Sequence, residues 1–477
     1  MKKLLILSAA LLAAISCNNE SSDPDVVITT LEGTEFSLSQ FEVHTFPAID
    51  VWVIEDQSAT VDDFAGLSAA IEYISSSDAS RQIEIEFANL TTIPAYAIYG
   101  VSIANSMRDF TALYSVSAPY ASEVGAYAFD FCDGLTSIEM EGVESVGNYA
   151  FRGCKSLESV NLPLATTVEY SAFNSCEAME SIYLPLLESV DNQAFTYCQS
   201  LTSASFPEAL SIASGAFSYC YSLTSVEAPK AVTIGERAFS ECMLLESVEA
   251  PLVEEIGAYA FISCSTLESY TISSLVSSIG SGVFNNCTNL TEIIDESDNF
   301  IFEDGILYNA DQSEAIVALQ AVVTGAVVLP ESVTAINERA FYNCVDIVSV
   351  ELPSVLAISN AAFAHCTSLL SVTLSAAKTL EDSAFYNCVE MTTFSAPYLT
   401  TIGDKSFYNC ENLLDLSIAT ASGVVIESID THAFHSAYLE DTVLTVGAAN
   451  ADLVSYGDTL TVDLFEVEFS EIIVLEA

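Results

Sequence analysis

The sequence predicts a mainly β solenoid of roughly fifteen short-strand coils with a capping region at each end. Three observations predict it. The word Ala-Phe-x-x-Cys recurs, with cysteines at 132, 154, 176, 198, 220, 242 and 264, each 22 residues apart, and Cys287 following after 23. Proline keeps the same time at Pro163, Pro185, Pro207, Pro229 and Pro251. Between them the apolar positions repeat as A-F-x-x-C-x-x-L-x-x-V-x-L-P, then Val or Ile before the next Ala-Phe. A fixed period near 20 residues is the signature of stacked repeats, and such an array grows in one dimension instead of dividing into globular domains.

One copy shows why the unit is a coil of short strands. In "CKSLESVNLP", Cys154 to Pro163, the apolar residues are Leu157, Val160 and Leu162, and Val160 to Leu162 alternate as a strand does. Pro163 has no backbone donor and suits the strand's end. The following "LATTVEYSAF" returns Leu164, Val168, Ala172 and Phe173 to the interior, with no room for a three-turn helix. A lone coil cannot bury its apolar side. Stacked at about 4.8 Å, equivalent positions form ladders and share one core.

The elements follow in order. Residues 1–16 read as an export leader: Lys2 and Lys3 precede an apolar run from Leu4 to Ile15 that is too short to span a bilayer. Ala14-Ile15-Ser16-Cys17 resembles a bacterial lipobox, with Ala14 where leucine is usual, so Cys17 is the expected lipidation site. Residues 17–35 then form a polar tether, whose acidic start resembles the surface-export signal of Bacteroidetes-type lipoproteins. Residues 36–94 form an N-terminal β/α cap. Within it Thr60 to Ile74 predicts an amphipathic helix with Phe64, Leu67, Ile71 and Ile74 on one face, placed to cover the open end of the stack. The solenoid spans 95–440.

Worn copies extend the array beyond its cysteines. Phe110 takes the cysteine place ahead of Pro119, Ala321 takes it ahead of Pro330, and Ala433-Phe434 opens a last copy with Ala437 in that place. A second block in phase holds Cys344, Cys366, Cys388 and Cys410. The interval from 287 to 344 contains an insertion near 291–320, around "DESDNFIFEDGILYNADQ". Residues 441–477 read as strands that form a C-terminal β cap.

The repeated A-F-x-x-C-x-x-L word resembles the BspA-like leucine-rich-repeat surface proteins over about residues 95 to 440. The resemblance implies a right-handed leucine-rich-repeat solenoid, export to the cell surface, and adhesion or host-interaction roles. It carries over no catalytic residue.

The cysteine ladder has three readings. Stacked Cα atoms about 4.8 Å apart fall within disulfide range, but in-register side chains keep their Cβ atoms near that spacing, when a disulfide wants about 3.8 Å. No C-x-x-C pair and no periodic histidine supports a metal. A column of small buried thiols filling a tight corner is the expected arrangement.

Exposed ladders are the candidate binding face. Serine recurs at 137, 159, 181, 203, 225, 247 and 269, often after an acid: Glu158, Glu180, Glu246 and Glu268. Between inward positions stand Tyr183, Glu227 and Glu249. Such a face can hold a basic protein segment, a glycan or, weakly, calcium; it can equally be a solvated face whose serines suit a tight turn. Tyr342, Tyr386 and Tyr408, each two before a cysteine, form a second patch, open to ligand contact or to packing between coils.

Composition sets limits on partners. The chain of 477 residues carries 66 acidic against 11 basic residues, a net charge of −55. That disfavours nucleic acid and anionic membrane surfaces, leaving the membrane reached through the lipid anchor only. With 51% apolar and 10% aromatic residues the chain nevertheless builds a large core. No G-x-S-x-G, phosphate loop or H-E-x-x-H is present, His432-x-x-His435 is a weak lone pair, and neither a cofactor nor a metal site is expected. The expected function is a non-enzymatic surface lipoprotein that binds an extracellular protein or glycan by many weak contacts along one face. A glycan-capturing partner of a nutrient importer and a passive spacer are the alternatives.

Overall fold

A computed structural model describes residues 82–99, 110–430, 432–437 and 439–453, the strands Val27–Thr29, Glu35–Ser37, Phe41–Thr45, Ile49–Ile54 and Glu471–Leu475, and six helical residues between Phe64 and Ser75. The leader at 1–16, Cys17, most of the tether, Thr60 and Ile74 lie outside the described residues. The fold of the described residues is mainly β, a parallel-strand solenoid of about 14 turns, close to the fifteen expected. It falls into two compact units, Met1–Val253 and Glu254–Ala477.

In the first unit each coil supplies two strands. The longer ones pair in parallel: Leu113–Ser117 with Ser137–Glu139, then Ser159–Asn161; and Ser181–Tyr183 with Ser203–Ser205, Ser225–Glu227 and Ser247–Glu249. Two-residue strands form a second ladder that keeps Val146, Val168, Val190 and Ile212 in register and buried. On the N-terminal side Gln82–Glu86 continues the first sheet, next to the antiparallel pair Ile49–Ile54 and Phe41–Thr45. The helical residues Phe64, Leu67 and Ile71 are buried, and Phe64 packs on Phe87 with ring centroids 5.6 Å apart. This is the expected apolar helix face meeting the first coils.

The repeated phenylalanine is the core of each regular coil. Phe129, Phe151, Phe173, Phe195, Phe217 and Phe239 are all fully buried, and successive rings lie nearly parallel at 5.2 to 5.6 Å. That centroid distance exceeds the strand spacing because parallel rings prefer an offset. Coil stacking thus turns a sequence period into a column, as the spacing predicts.

The described cysteines, from Cys132 to Cys410, are buried in both units and form no disulfide with one another. Within the regular coils the thiol donates to the carbonyl of the phenylalanine in the preceding coil: Cys154 Sγ to Phe129 O at 3.2 Å, Cys176 to Phe151 O at 3.3 Å, Cys366 to Phe341 O at 3.2 Å; where the preceding coil is worn, Cys132 donates to Ile98 O instead. A small apolar group that also offers a weak donor suits this corner better than alanine or serine.

The second unit repeats the plan. Phe341, Phe363, Phe385, Phe407 and Phe434 stack, so the worn last copy is a full coil in its core. The insertion is an antiparallel meander. Phe300–Glu303 turns through Asp304 and Gly305, both at positive φ (51° and 80°), into Ile306–Asn309, which pairs with Glu314–Ala318. Glu314–Ala318 then rejoins the array in parallel with Ala335–Ile336. Past the array, Val443–Gly447 and Glu471–Leu475 add two parallel strands.

Candidate functional site

The strand face of the first unit carries the residues singled out by their spacing. Within each three-residue strand the middle side chain points inward, as Ile138, Ile182, Ala204 and Val226 do, and its neighbours point out. Two outward columns result. One is Ser181, Ser203, Ser225 and Ser247; the other is Tyr183, Ser205, Glu227 and Glu249.

The strand Ser203–Ser205 is Ser-Ala-Ser, the smallest of the set, so the surface dips there. A shallow groove of about 410 Å³ follows, with Tyr183 on one wall and Glu227 and Glu249 on the other. Tyr183 stands 62% exposed, its ring free to cover an apolar stem. Glu227 and Glu249 are direct register partners, and like charges placed opposite one another repel. Ser205 Oγ donates to Glu227 Oε2 at 2.8 Å, one neutral donor beside two carboxylates. The groove therefore favours a cation that sits between the acids while its carbon stem lies on tyrosine.

Glu158, Glu180 and Glu246 are exposed on the rim, one residue before the strands, and do not line the groove. Their column is interleaved with threonines whose hydroxyls tie coil to coil: Thr202 Oγ1 donates to Glu180 O and Thr224 Oγ1 to Thr202 O, both at 2.9 Å. Those neutral residues dilute the charge along the rim. Glu268 holds the equivalent exposed place in the second unit.

The tyrosine patch of the second unit is a packed column. Tyr386 and Tyr408 stack at 4.8 Å, and Tyr408 stacks on His435 at 5.4 Å. Tyr342 and Tyr386 do not meet directly; His365, displaced by one residue in the sequence, fills the place between them at 5.2 and 5.3 Å. Asn387 Nδ2 lies 3.2 Å from His365 Nδ1, and Asn409 Nδ2 donates to Asn387 Oδ1 at 2.6 Å. Burial and the Arg339 charge hold His365 below its ordinary value. The three tyrosines and His365 are half-buried against one another, which favours packing between coils, while His435 is exposed at the end of the column.

A third cluster escaped the spacing argument. Tyr96, Tyr127 and Tyr149 stack at 5.0 and 4.8 Å, and Arg152 lies over Tyr149 at 4.5 Å and Phe131 at 4.8 Å. Arg152 forks onto the buried Asp130 with bonds of 2.8 and 2.7 Å. Burial raises Asp130 while Arg152 opposes it. Tyr127 and Tyr149 are one period apart, but which neighbouring coil supplies their cation appears only once the coils are stacked.

The family described as the BspA type leucine rich repeat region matches residues 122–233, 211–324 and 320–440, in six copies. Among solved structures, a leucine-rich repeat protein from Bacteroides ovatus is 19% identical, with a TM-score of 0.54 over 92% of this chain and 100% of that one. A leucine rich cell surface protein from Faecalibacterium prausnitzii is also 19% identical, with a TM-score of 0.47 over 86% and 100%. The pneumococcal vaccine antigen PcpA is 14% identical, with a TM-score of 0.42 over 96% and 100%. No curated protein matches the chain.

Proposed function

Because the chain belongs to the family of the BspA-type leucine-rich-repeat region, whose fold is generally a non-enzymatic binding scaffold, we propose that it is a surface protein whose first-unit strand face captures a basic protein segment. The observation that carries this is the groove: Tyr183 across a Ser-Ala-Ser notch from the paired carboxylates of Glu227 and Glu249. A lysine or arginine laid there gains two carboxylates and an aromatic wall. The neighbouring serine column offers hydroxyls to the segment's backbone. Export and anchoring through Cys17 would present this face outside the cell, and no helix among the described residues is long and apolar enough to cross a membrane.

The test is an array of extracellular matrix proteins and glycans probed with the soluble chain, residues 18–477, and with its Glu227→Arg, Glu249→Arg variant. Capture of a protein by the native chain, weakened at least about tenfold in the variant, is the expected result; a tenfold change corresponds to about 1.4 kcal/mol, within reach of one desolvated charge pair. Capture of a glycan with no dependence on these acids would favour the nutrient-uptake alternative. An array with no ligand at all would favour the spacer.

A further inference from the structure

The last coil brings together three side chains that no sequence spacing unites. The strands Thr401–Ile402 and Ser428–Ile429 pair in parallel with Ile402 beside Ile429, and Asp430 N donates to Ile402 O at 2.9 Å. Each strand runs straight into a turn, so Asp404 from one coil meets Asp430 and His432 from the next. His432 Nδ1 lies 3.2 Å from Asp404 Oδ1 and 3.7 Å from Asp430 Oδ1, and the three ligand atoms all fall within 4.8 Å of one another.

The surroundings single out Asp404 Oδ1. Its other oxygen, Oδ2, accepts from Lys405 Nζ at 2.9 Å, and Asp430 Oδ1 accepts from His432 N at 3.2 Å. Asp404 Oδ1 is shielded from solvent and faces the imidazole Nδ1 at 3.2 Å, an ion-pair distance. Carboxylate and imidazole ligand atoms from two coils thus converge on one small space.

We propose that Asp404, Asp430 and His432 form a site for a first-row divalent metal such as zinc. Zinc bonds of about 2.0–2.1 Å at tetrahedral angles place ligand atoms about 3.4 Å apart, which the separations of 3.2 and 3.7 Å bracket. One imidazole nitrogen with two carboxylate oxygens suits zinc and its neighbours. Calcium wants six to eight oxygens, which this set does not supply. The fourth position is open to water, since all three side chains reach the surface. The consequence is structural: the metal pins the turn that leads into Ala433-Phe434 onto the preceding coil, where Phe434 already stacks on Phe407 at 4.9 Å. This revises the reading of His432-x-x-His435, because the two rings stand edge-on at 6.3 Å and His432 turns to the acids instead.

The experiment is calorimetric titration of the full chain with zinc chloride near pH 7.5, alongside His432→Gln, Asp430→Asn and His435→Gln. We expect one saturable site per chain in the native protein and in His435→Gln. His432→Gln and Asp430→Asn should each weaken it by at least about tenfold, the size that even an outer-shell change produces. Thermal unfolding gives a second readout: zinc should raise the midpoint of the native chain and of His435→Gln, and leave His432→Gln unmoved. The same isotherm in all four proteins would mean diffuse binding to surface acids and would overturn the proposal, as would the absence of any saturable site in the native chain.

Discussion

Two residues in each regular coil hold a left-handed backbone, for example Gln193 at φ 55° and Tyr197 at 62°. Outside glycine that conformation costs about 1–2 kcal/mol per residue. The array offsets the cost by directing those N–H groups to the next coil: Gln193 N donates to Ser214 O at 3.0 Å and Tyr197 N to Ser218 O at 2.9 Å. Gly153 and Gly215 occupy the two places, at φ 70° and 63°, but in different surroundings. A Cβ at Gly153 would stand 2.5 Å from Phe131 Cδ1, whereas one at Gly215 would meet nothing nearer than 3.4 Å. Gly153→Ala should therefore destabilise by about 1–3 kcal/mol and Gly215→Ala by clearly less, as read from urea unfolding midpoints. Equal losses would contradict the clash. This geometry was only partly legible. Asn286, Asn343, Asn387 and Asn409 occupy such places because asparagine tolerates them, but Tyr, Ser, Gln and Arg at the equivalent positions of other coils hide the signal.

At the scale of elements, the coil and its inward columns were legible because one side chain repeats in place every 22 residues. Chemistry between coils was less so. The His365 ring that completes the tyrosine column is displaced by one residue, and Asp130 and Arg152 become partners only when coil faces are assigned. Asp304-Gly305 is a strong hairpin signal inside the insertion, and the structure turns there. The groove is likewise a property of one element, since Ser203–Ser205 is small enough to leave a notch between larger neighbours. Ser205→Tyr should fill that notch and abolish capture of a basic segment without unfolding the coil, because position 205 points outward. Circular dichroism checks the fold, and retained affinity in that variant would move the site elsewhere.

Across the whole molecule, the buried thiols make stability depend on alkaline pH. Burial pushes Cys287, Cys344 and Cys410 up to about 12 from an ordinary 9.0, and moves the other shifted thiols the same way. Each such group has a folded value above its unfolded one. Its contribution is therefore complete below about pH 9 and is lost as pH rises toward 12, where only the unfolded chain ionises. Urea unfolding should show a flat free energy from pH 7 to about 8.5 and a decline above 9, and native thiols should resist labelling at pH 8 until denaturant opens the array. A flat profile to pH 11 would contradict this.

Net charge bears on the binding face as well. A chain at −55 attracts any cationic protein, so a local groove must be told apart from a general field. The groove swap, Glu227→Arg with Glu249→Arg, changes half as many charges as a rim swap of Glu158, Glu180, Glu246 and Glu268 to Arg. Equilibrium binding of the captured protein to the native chain and both variants, at one ionic strength, separates the two causes. Capture in the groove predicts that the smaller change does the greater damage, at least about tenfold against a few-fold for the rim. A rim variant that loses as much affinity as the groove variant, or more, would contradict the account.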